Sequence, residues 1–199
     1  MSTNSIESHN WIRKLADSKF NYWFGYVANF ILVGWLISRA FYPGADSGTE
    51  AFTITKVLGL TALGIFIYTF TEYVFHRWLY HEVNSPFSTG HGLHHEMPKG
   101  LLGLPWYFPY PVIIGAYYGL AYLFNAPGSV GVLMGAWWLG FIGYCAVHHS
   151  THHFNFKNKW FKGVKAHHRI HHVREETNFG VLTTFWDKVF GTEFKQESE

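Results

Sequence analysis

Four long apolar segments dominate this sequence of 199 residues and restrict the folds that it can adopt. They lie at residues 21–41, 53–75, 104–124 and 127–147. A helix needs roughly 20 mostly apolar residues to cross the hydrocarbon core of a bilayer. Only 14% of the residues are charged, whereas ordinary soluble domains have about 25%. We therefore predict an all-α integral membrane protein with about four transmembrane helices.

Other features of the composition exclude several classes of protein. A soluble protein with four buried helices is the alternative, but it would leave little polar surface in a chain of this length. The formal net charge of +2 gives no indication of a nucleic-acid partner. The single cysteine, Cys145, excludes a disulfide or a thiolate cluster within one chain.

The distribution of lysine and arginine predicts the orientation in the membrane. Residues 1–20 and the loop 76–103 contain such residues, and eight more follow residue 147. The opposite loops, 42–52 and 125–126, contain none. We therefore expect both termini and the middle loop in the cytoplasm. The predicted organisation is one domain over 1–199, with a cytoplasmic segment 1–20, membrane helices and the loop 76–103 within 21–147, and a cytoplasmic cap over 148–199.

Thirteen of the 14 histidines fall in four short motifs on the predicted cytoplasmic side. The motifs are HRWLYH (His76, His81), HGLHH (His91, His94, His95), HHSTHH (His148, His149, His152, His153) and HHRIHH (His167, His168, His171, His172). So many imidazolium ions in one place would repel each other, whereas metal-bound histidines are neutral. One metal ion takes four to six ligands, so the number of histidines predicts at least two ions.

The histidine spacings are those of metal ligands on helices. Residues i, i+3 and i+4 share one face of an α-helix, and two triplets have this spacing. They are His91, His94 and His95, and His168, His171 and His172. The motif HHSTHH offers two alternative pairs, 148 with 152 or 149 with 153. On an ideal α-helix His76 and His81 would point roughly 140° apart, which suggests that they serve two neighbouring metals.

Three carboxylates lie near these motifs, namely Glu72, Glu82 and Glu96. They are expected to be either acceptors for imidazole N–H groups or ordinary interfacial residues. Asp187, in the motif FWDKVFGT, is expected to have a structural role, in which this motif caps and packs the helices that carry the histidines.

Taken together, the four histidine motifs and the closing stretch NFGVLTTFWDKVFGT (residues 178–192) resemble the fatty acid hydroxylase superfamily. These are membrane-bound, histidine-rich oxygenases that include the sterol desaturases. Within the superfamily, the sequence is most similar to the fatty acid 2-hydroxylases. The resemblance runs from residue 76 to residue 192 and is less specific across the third and fourth apolar segments.

The resemblance implies a dinuclear metal site held by ten histidines, which on the predicted topology lies on the cytoplasmic side and includes the cap. One metal would bind His76, His91, His94, His168 and His171, and the other would bind His81, His95, His148, His152 and His172. The family implies two iron ions, with O2 as co-substrate, and zinc is able to replace iron in purified protein. His149, His153 and His167 are surplus to the ten.

The resemblance also implies an iron-dependent monooxygenase that hydroxylates carbon 2 of fatty acyl chains, free or in sphingolipid-like lipids. The sequence has no His-Pro-Gly-Gly haem motif, so a cytochrome b-type or ferredoxin-type protein and its reductase are expected to supply the electrons. Family members often have an acidic residue two places after the proline of HGLHHEMP, where this chain has Gly100. The bacterial inner membrane and the endoplasmic reticulum are both compatible locations.

Two other functions are compatible with parts of the sequence. A sterol or carotenoid hydroxylase or desaturase would belong to the same superfamily. A non-catalytic metal-binding or metal-transport protein would belong to a different class. Transport sites usually lie near the middle of the bilayer, and the apolar segments contain no ionisable residue at that depth.

Overall fold

A computed structural model describes residues 18–41, 51–103, 105 and 107–196. The predicted cytoplasmic residues 1–17, most of the loop 42–52 and two residues of the third apolar segment, Leu104 and Trp106, therefore lie outside the described residues. Over the described ranges the chain is helical and forms no β-strand. The helices are α1 (Lys19–Ser38), α2 (Ile54–Val74), a π-helix (Phe75–Glu82), α3 (Pro86–Glu96), α4 (Pro109–Phe124), α5 (Pro127–His153), α6 (Lys159–His171) and α7 (Phe185–Phe190).

Three helices in the described part of the chain are long and apolar enough to cross a membrane. They are Lys19–Ser38, Ile54–Glu82 and Pro127–His153, the second of which is α2 continued by the π-helix. They coincide with the first, second and fourth predicted spans. An all-α integral membrane protein is thus the fold class that the structure supports.

The third predicted span is shorter than expected, and it is not among the three candidate spans in the described part of the chain. Helix α4 begins at Pro109 and has 16 residues, which corresponds to a length of about 24 Å. The hydrocarbon core is about 30 Å thick. Proline lacks an amide hydrogen and is tolerated in the first turn of a helix, so Pro109 and Pro111 lie at the start of α4 and not inside a longer helix.

The described residues form two compact units. The helical unit comprises Ser18–Tyr68 and 103–142, and the histidine unit comprises Thr69–Leu102 and 143–196. Two of the described helices, α2 and α5, contain residues of both units. Whether the chain is one domain stays a prediction.

Close helix contacts hold the helical unit together. A Cβ atom on Gly131 of α5 would lie 2.4 Å from the carbonyl oxygen of Leu36 in α1. A Cβ atom on Gly64 of α2 would lie 2.4 Å from the carbonyl oxygen of Leu133. Small residues allow such close approach of backbones in membrane helices. A polar contact also joins two of these helices, because the indole N–H of the buried Trp138 in α5 donates to Asn29 Oδ1 in α1 over 3.0 Å.

Local capping signals set the short helices of the histidine unit. Ser85 precedes α3 and forms a capping box with Ser88, and Pro86 occupies the first helical position. Asn158 precedes α6, and its side chain accepts from the amide of Phe161 over 2.8 Å. Helix α7 ends at Gly191, whose φ of 69° is in the left-handed region that glycine adopts without strain.

Candidate metal centre

Four helices bring ten imidazoles together inside the histidine unit. The π-helix provides two of them, α3 three, α5 two, and the end of α6 three. The side chains form two groups of five, and within each group the candidate ligand nitrogens all lie within 4.8 Å of one another. The first group is His76, His81, His91, His95 and His171, and the second group is His94, His148, His152, His168 and His172. These are the ten histidines that the family resemblance implies as ligands, and their role in metal binding stays a prediction.

The π-helix explains why His76 and His81 lie in the same group. The sequence pattern of HRWLYH, taken as an α-helix, predicted that its two histidines serve different metals. In the structure Phe75–Glu82 is a π-helix, in which hydrogen bonds join residues five apart and bring those residues onto one face. The rings of His76 and His81 are 5.3 Å apart, so the prediction that they diverge is wrong.

The division of the other histidines also differs from the expected one. The family resemblance placed His94 and His168 with the first metal, and His81 and His95 with the second. The structure exchanges these two pairs between the groups. On an α-helix residue i+4 is rotated by about 40° from residue i, and residue i+3 by about 60° to the other side. Histidines four apart therefore share a group, while the one three along points to the other group.

The separations of the Nε2 atoms are suited to metal binding. Metal–imidazole bonds of about 2.1 Å put the nitrogens of neighbouring ligands roughly 3.0–3.4 Å apart in octahedral to tetrahedral geometry. In the first group the Nε2 of His91 lies 3.1 Å from that of His76 and 3.0 Å from that of His95. In the second group the Nε2 of His168 lies 2.9 Å from that of His152 and 3.1 Å from that of His172. All of these imidazoles point the same nitrogen inward.

Backbone carbonyl groups fix the proton position in two rings of the first group. The Nδ1 of His171 donates to the carbonyl oxygen of Thr177 over 2.8 Å, and the Nδ1 of His76 donates to the carbonyl oxygen of Phe179. A carbonyl oxygen is only an acceptor, so the proton is on Nδ1 and the Nε2 lone pair is free. Several lone pairs facing one point repel each other unless a cation lies among them. The donor set therefore fits a metal ion.

Burial keeps the imidazoles uncharged. For the histidines outside the candidate spans, burial is the main reason that the pKa is lowered, and neighbouring imidazoles lower it further. Together they lower the pKa of His95 to about 3. Burial lowers the pKa of His171 to about 4, although the carbonyl of Thr177 acts in the opposite direction. The pKa of His91 and that of His168 are lowered well below the usual value for the same main reason. Neutral imidazole is the form that binds metals.

Glu175 is a site residue that the sequence motifs did not identify. Its two carboxylate oxygens lie 3.6 Å from the Nδ1 of His81 and 3.5 Å from the Nδ1 of His95. The carboxylate therefore faces two rings of the first group that come from different helices. A carboxylate beside the outer nitrogen of a ligand histidine orients the ring and raises its basicity. The signal in the sequence was the glutamate pair shortly after HHRIHH.

The three carboxylates that the sequence suggested as possible imidazole acceptors have other surroundings. Glu72 is buried, and its Oε1 accepts from the amides of Val181 and Leu182 over 2.5 Å and 3.1 Å. Glu82 lies 3.9 Å from Arg77 at the surface. Glu96 is exposed. Glu72 therefore holds residues 173–196, the C-terminal segment, against the end of α2.

Asp187 organises the C-terminal segment around the first group. This buried carboxylate accepts from the amides of Phe179 and Gly180 over 2.8 Å and 2.9 Å. It also accepts from the hydroxyl of Thr192 over 2.8 Å and from the Nε2 of His167 over 3.1 Å. Burial alone would raise the pKa of this carboxyl, but these hydrogen bonds outweigh burial and lower it. The contacts agree with the structural role expected for Asp187.

The surplus histidines lie outside both groups. His167 forms the contact with Asp187 just described. His149 and His153 stack on each other with ring centroids 4.2 Å apart. Of the two pairs that HHSTHH offered, His148 and His152 therefore lie in the second group.

These features define a class of protein: an all-helical membrane protein with a candidate two-metal centre built from ten histidines. A model of the fatty acid hydroxylase family matches residues 61–192. The chain therefore belongs to the fatty acid hydroxylase family, and is an oxidoreductase of the hydroxylase type. The expected resemblance to this family is confirmed.

A plant protein and a mammalian protein are similar to this chain over most of its length. Dihydroceramide fatty acyl 2-hydroxylase FAH1 of Arabidopsis thaliana is 30% identical over 81% of this chain and 68% of its own length. Fatty acid 2-hydroxylase of Rattus norvegicus is 30% identical over 71% of this chain. The chain spans about 41% of the length of that rat protein.

A solved structure shares the fold. It is that of full-length Scs7p, in which only the hydroxylase domain is visible. The TM-score is 0.72 at 24% sequence identity, and the match covers 94% of this chain and 70% of that one.

Proposed function

We propose that this protein is an O2-dependent lipid hydroxylase that acts at carbon 2 of fatty acyl chains with two iron ions. The observation that carries the proposal is the pair of five-histidine groups, whose Nε2 atoms converge at metal-ligand distances. The names of the relatives in Arabidopsis thaliana and Rattus norvegicus support an acyl substrate and position 2. Free fatty acid and sphingolipid-bound acyl chains are both within this proposal.

The ten histidines would hold the two metals, five to each. When bound, the metals would supply the redox chemistry by which one oxygen atom of O2 enters a C–H bond and the other leaves as water, with two electrons and two protons consumed. The protein would provide position and exclusion of bulk water. The ten imidazoles are neutral ligands and would leave the positive charge of the ions uncompensated, which would favour an acyl carboxylate near the site.

The protein's own groups would keep the ligands in place. The carbonyl oxygens of Phe179 and Thr177 would hold His76 and His171 in the tautomer that presents Nε2. Glu175 would do the same for His81 and His95. Such outer contacts commonly change metal affinity by about 10- to 100-fold when they are removed.

The membrane setting would bring the substrate to the site. Histidine motifs follow the apolar stretches of two candidate spans, which end at Glu82 and His153. An acyl chain could then remain in the bilayer while its carboxyl end reaches the metals. The distribution of lysine and arginine supports a cytoplasmic location for this side and for the termini. There a cytochrome b-type or ferredoxin-type protein and its reductase would deliver the electrons.

Metal content is the first test, because it does not depend on finding the electron donor. The full chain would be expressed with added iron, purified, and analysed by elemental mass spectrometry. Two metal ions per chain are expected, either iron or zinc that has replaced it. One ion, or none, in folded protein would contradict the ten-histidine assignment.

Lipid analysis then tests the reaction. Cells that express the chain with a cytochrome b-type donor and its reductase should accumulate 2-hydroxy fatty acids, measured by mass spectrometry of hydrolysed lipids. His172→Ala should abolish the product, whereas His149→Ala should retain it, because only His172 belongs to a histidine group. Hydroxylated sterols or carotenoids in place of 2-hydroxy acids would point to the alternative substrates, and metal uptake into vesicles would point to transport.

A further inference from the structure

The segment 154–162, FNFKNKWFK, has an unusual surface. Three large aromatic side chains are about half exposed, namely Phe154 (48%), Phe156 (50%) and Trp160 (59%). Three lysines lie between and beside them, at 157, 159 and 162, and all are exposed. These lysines form no ion pair within the described part of the chain, and the segment contains no acidic residue.

This exposure belongs to an ordered segment. The ammonium group of Lys165 donates to the carbonyl oxygen of Phe154 over 2.7 Å and to Asn155 Oδ1 over 2.9 Å. The rings of Phe154 and Phe156 stack at 5.5 Å, and Phe156 contacts the buried Phe161 edge-on at 4.9 Å. The segment is therefore fixed to α6 in a way that leaves aromatic surface turned outward.

The position of the segment along the chain brings it close to a bilayer. Helix α5, a candidate membrane span, ends at His153, and the segment begins at the next residue. The 27 residues of α5 correspond to about 40 Å of helix. The hydrocarbon core is about 30 Å thick, so the segment starts within about 10 Å of the hydrocarbon boundary. This is the depth of the lipid headgroups.

We propose that the segment 154–162 is an interfacial anchor that binds anionic lipid headgroups. Phe154, Phe156 and Trp160 insert their rings among the headgroups and upper acyl chains, where aromatic side chains are favoured. The three lysines bind lipid phosphates, and each cation near an anionic membrane surface contributes on the order of a fivefold change in partitioning. The anchor fixes the level of α6, and with it His168, His171 and His172, relative to the membrane.

An acidic protein partner is less well matched to this surface than a lipid. Such a partner would pair with the lysines, but the three exposed rings would also need an apolar surface of their own. An anionic bilayer provides both, with phosphates above and acyl chains below. Because the segment follows the candidate span α5 directly, the bilayer already lies beside it and no separate docking step is needed.

The test is a fluorescence measurement on the full chain in lipid nanodiscs. Cys145, the single cysteine, is replaced by alanine, and Phe156→Cys is labelled with a small environment-sensitive dye. The matched control is Val173→Cys, because Val173 is 80% exposed in the same unit and has no Phe, Tyr or Trp within two residues. Quenching by the neutral, water-soluble quencher acrylamide is compared in phosphatidylcholine and in phosphatidylcholine–phosphatidylglycerol nanodiscs.

In phosphatidylglycerol nanodiscs the dye at 156 should be quenched about twofold less than the dye at 173, and spin-labelled lipid should quench only the former. Replacing Lys157, Lys159 and Lys162 by glutamine should remove this protection while metal content stays unchanged. Equal quenching at both positions would overturn the proposal. The proposal would also be overturned if the dye at 156 were protected equally with and without phosphatidylglycerol. Protection that appears only when an acidic electron-carrier protein is added would overturn it as well. Because no measurement uses catalysis, failure of the anchor is distinguishable from failure of the proposed function.

Discussion

The Nδ1 atom of His76 donates a hydrogen bond to the carbonyl oxygen of Phe179, 103 residues further along the chain. His76 lies in the π-helix at the end of a candidate span, and Phe179 lies in the segment after α6. The orientation of this imidazole therefore depends on the C-terminal segment, which contains no residue of either histidine group. Variants far from the Nε2 atoms are expected to affect metal binding for this reason.

Asp187→Asn should weaken metal binding and lower stability. The carboxylate accepts from the amides of Phe179 and Gly180, and an asparagine side chain has one oxygen with which to replace two. A buried donor left unsatisfied costs about 1–3 kcal/mol. Glu193→Gln is the control, because its contact with the exposed Lys188 at 3.9 Å should contribute little. Thermal unfolding and chelator competition would be measured, and equal behaviour of the two variants would contradict the role assigned to Asp187.

Gly180→Ala should disrupt the C-terminal segment around Asp187 through steric overlap. A Cβ atom at this position would lie 2.1 Å from the carbonyl oxygen of Thr183 and 2.9 Å from Asp187 Oδ2. The backbone must move to admit it, and overpacking of this kind costs about 1–3 kcal/mol. Gly163→Ala in α6 is the matched control, since a Cβ atom there meets nothing within 4 Å. In thermal unfolding Gly163→Ala should be as stable as the parent or more stable, because alanine favours the helix. Equal unfolding temperatures for the two variants would contradict the overlap at Gly180.

Glu175→Gln should lower the metal affinity of the first group without preventing folding. The carboxylate lies near the Nδ1 atoms of His81 and His95, and removing its charge removes the field that favours Nδ1–H on both rings. A decrease of about tenfold in affinity is expected. Glu176→Gln, at the exposed neighbouring position, should bind metal like the parent protein. Competition with a chromophoric chelator measures both, and an unchanged affinity for Glu175→Gln would show that the carboxylate is incidental.

The long apolar runs made the membrane helices predictable from the sequence. Helices α1, α2 and α5 begin within two residues of the predicted spans at 21, 53 and 127. The four histidine motifs were recognisable from residue type and spacing, whereas the choice of ten candidate ligands, with 148 and 152 in place of 149 and 153, came from the family resemblance. The shortened α4 was less predictable, because the prolines at 109 and 111 occur at its start and the sequence does not say whether a helix precedes them.

Other parts of the site depend on information that residue identity does not contain. The acceptors for His76 and His171 are backbone carbonyl groups, and every residue has one. The π-helix requires one additional residue per turn over HRWLYH, a pattern that is equally compatible with an α-helix. The division of the histidines depends on where rings from four helices meet in space. Helix geometry explains why histidines four residues apart share a group, but which helices contribute to each group follows from tertiary packing.

Paired substitutions in α6 distinguish the two possible divisions of the ligands. In the structure His168 and His172 share the second group, whereas His171 belongs to the first. His168→Ala/His172→Ala should therefore leave one metal ion per chain after dialysis against a weak chelator, because the first group keeps all five imidazoles. His168→Ala/His171→Ala should weaken both sites, because each group loses one ligand. Elemental mass spectrometry of both proteins decides the question. If the second double variant keeps one tightly bound ion and the first loses both, histidines three residues apart share a metal, and the two groups of five are not the two metal sites.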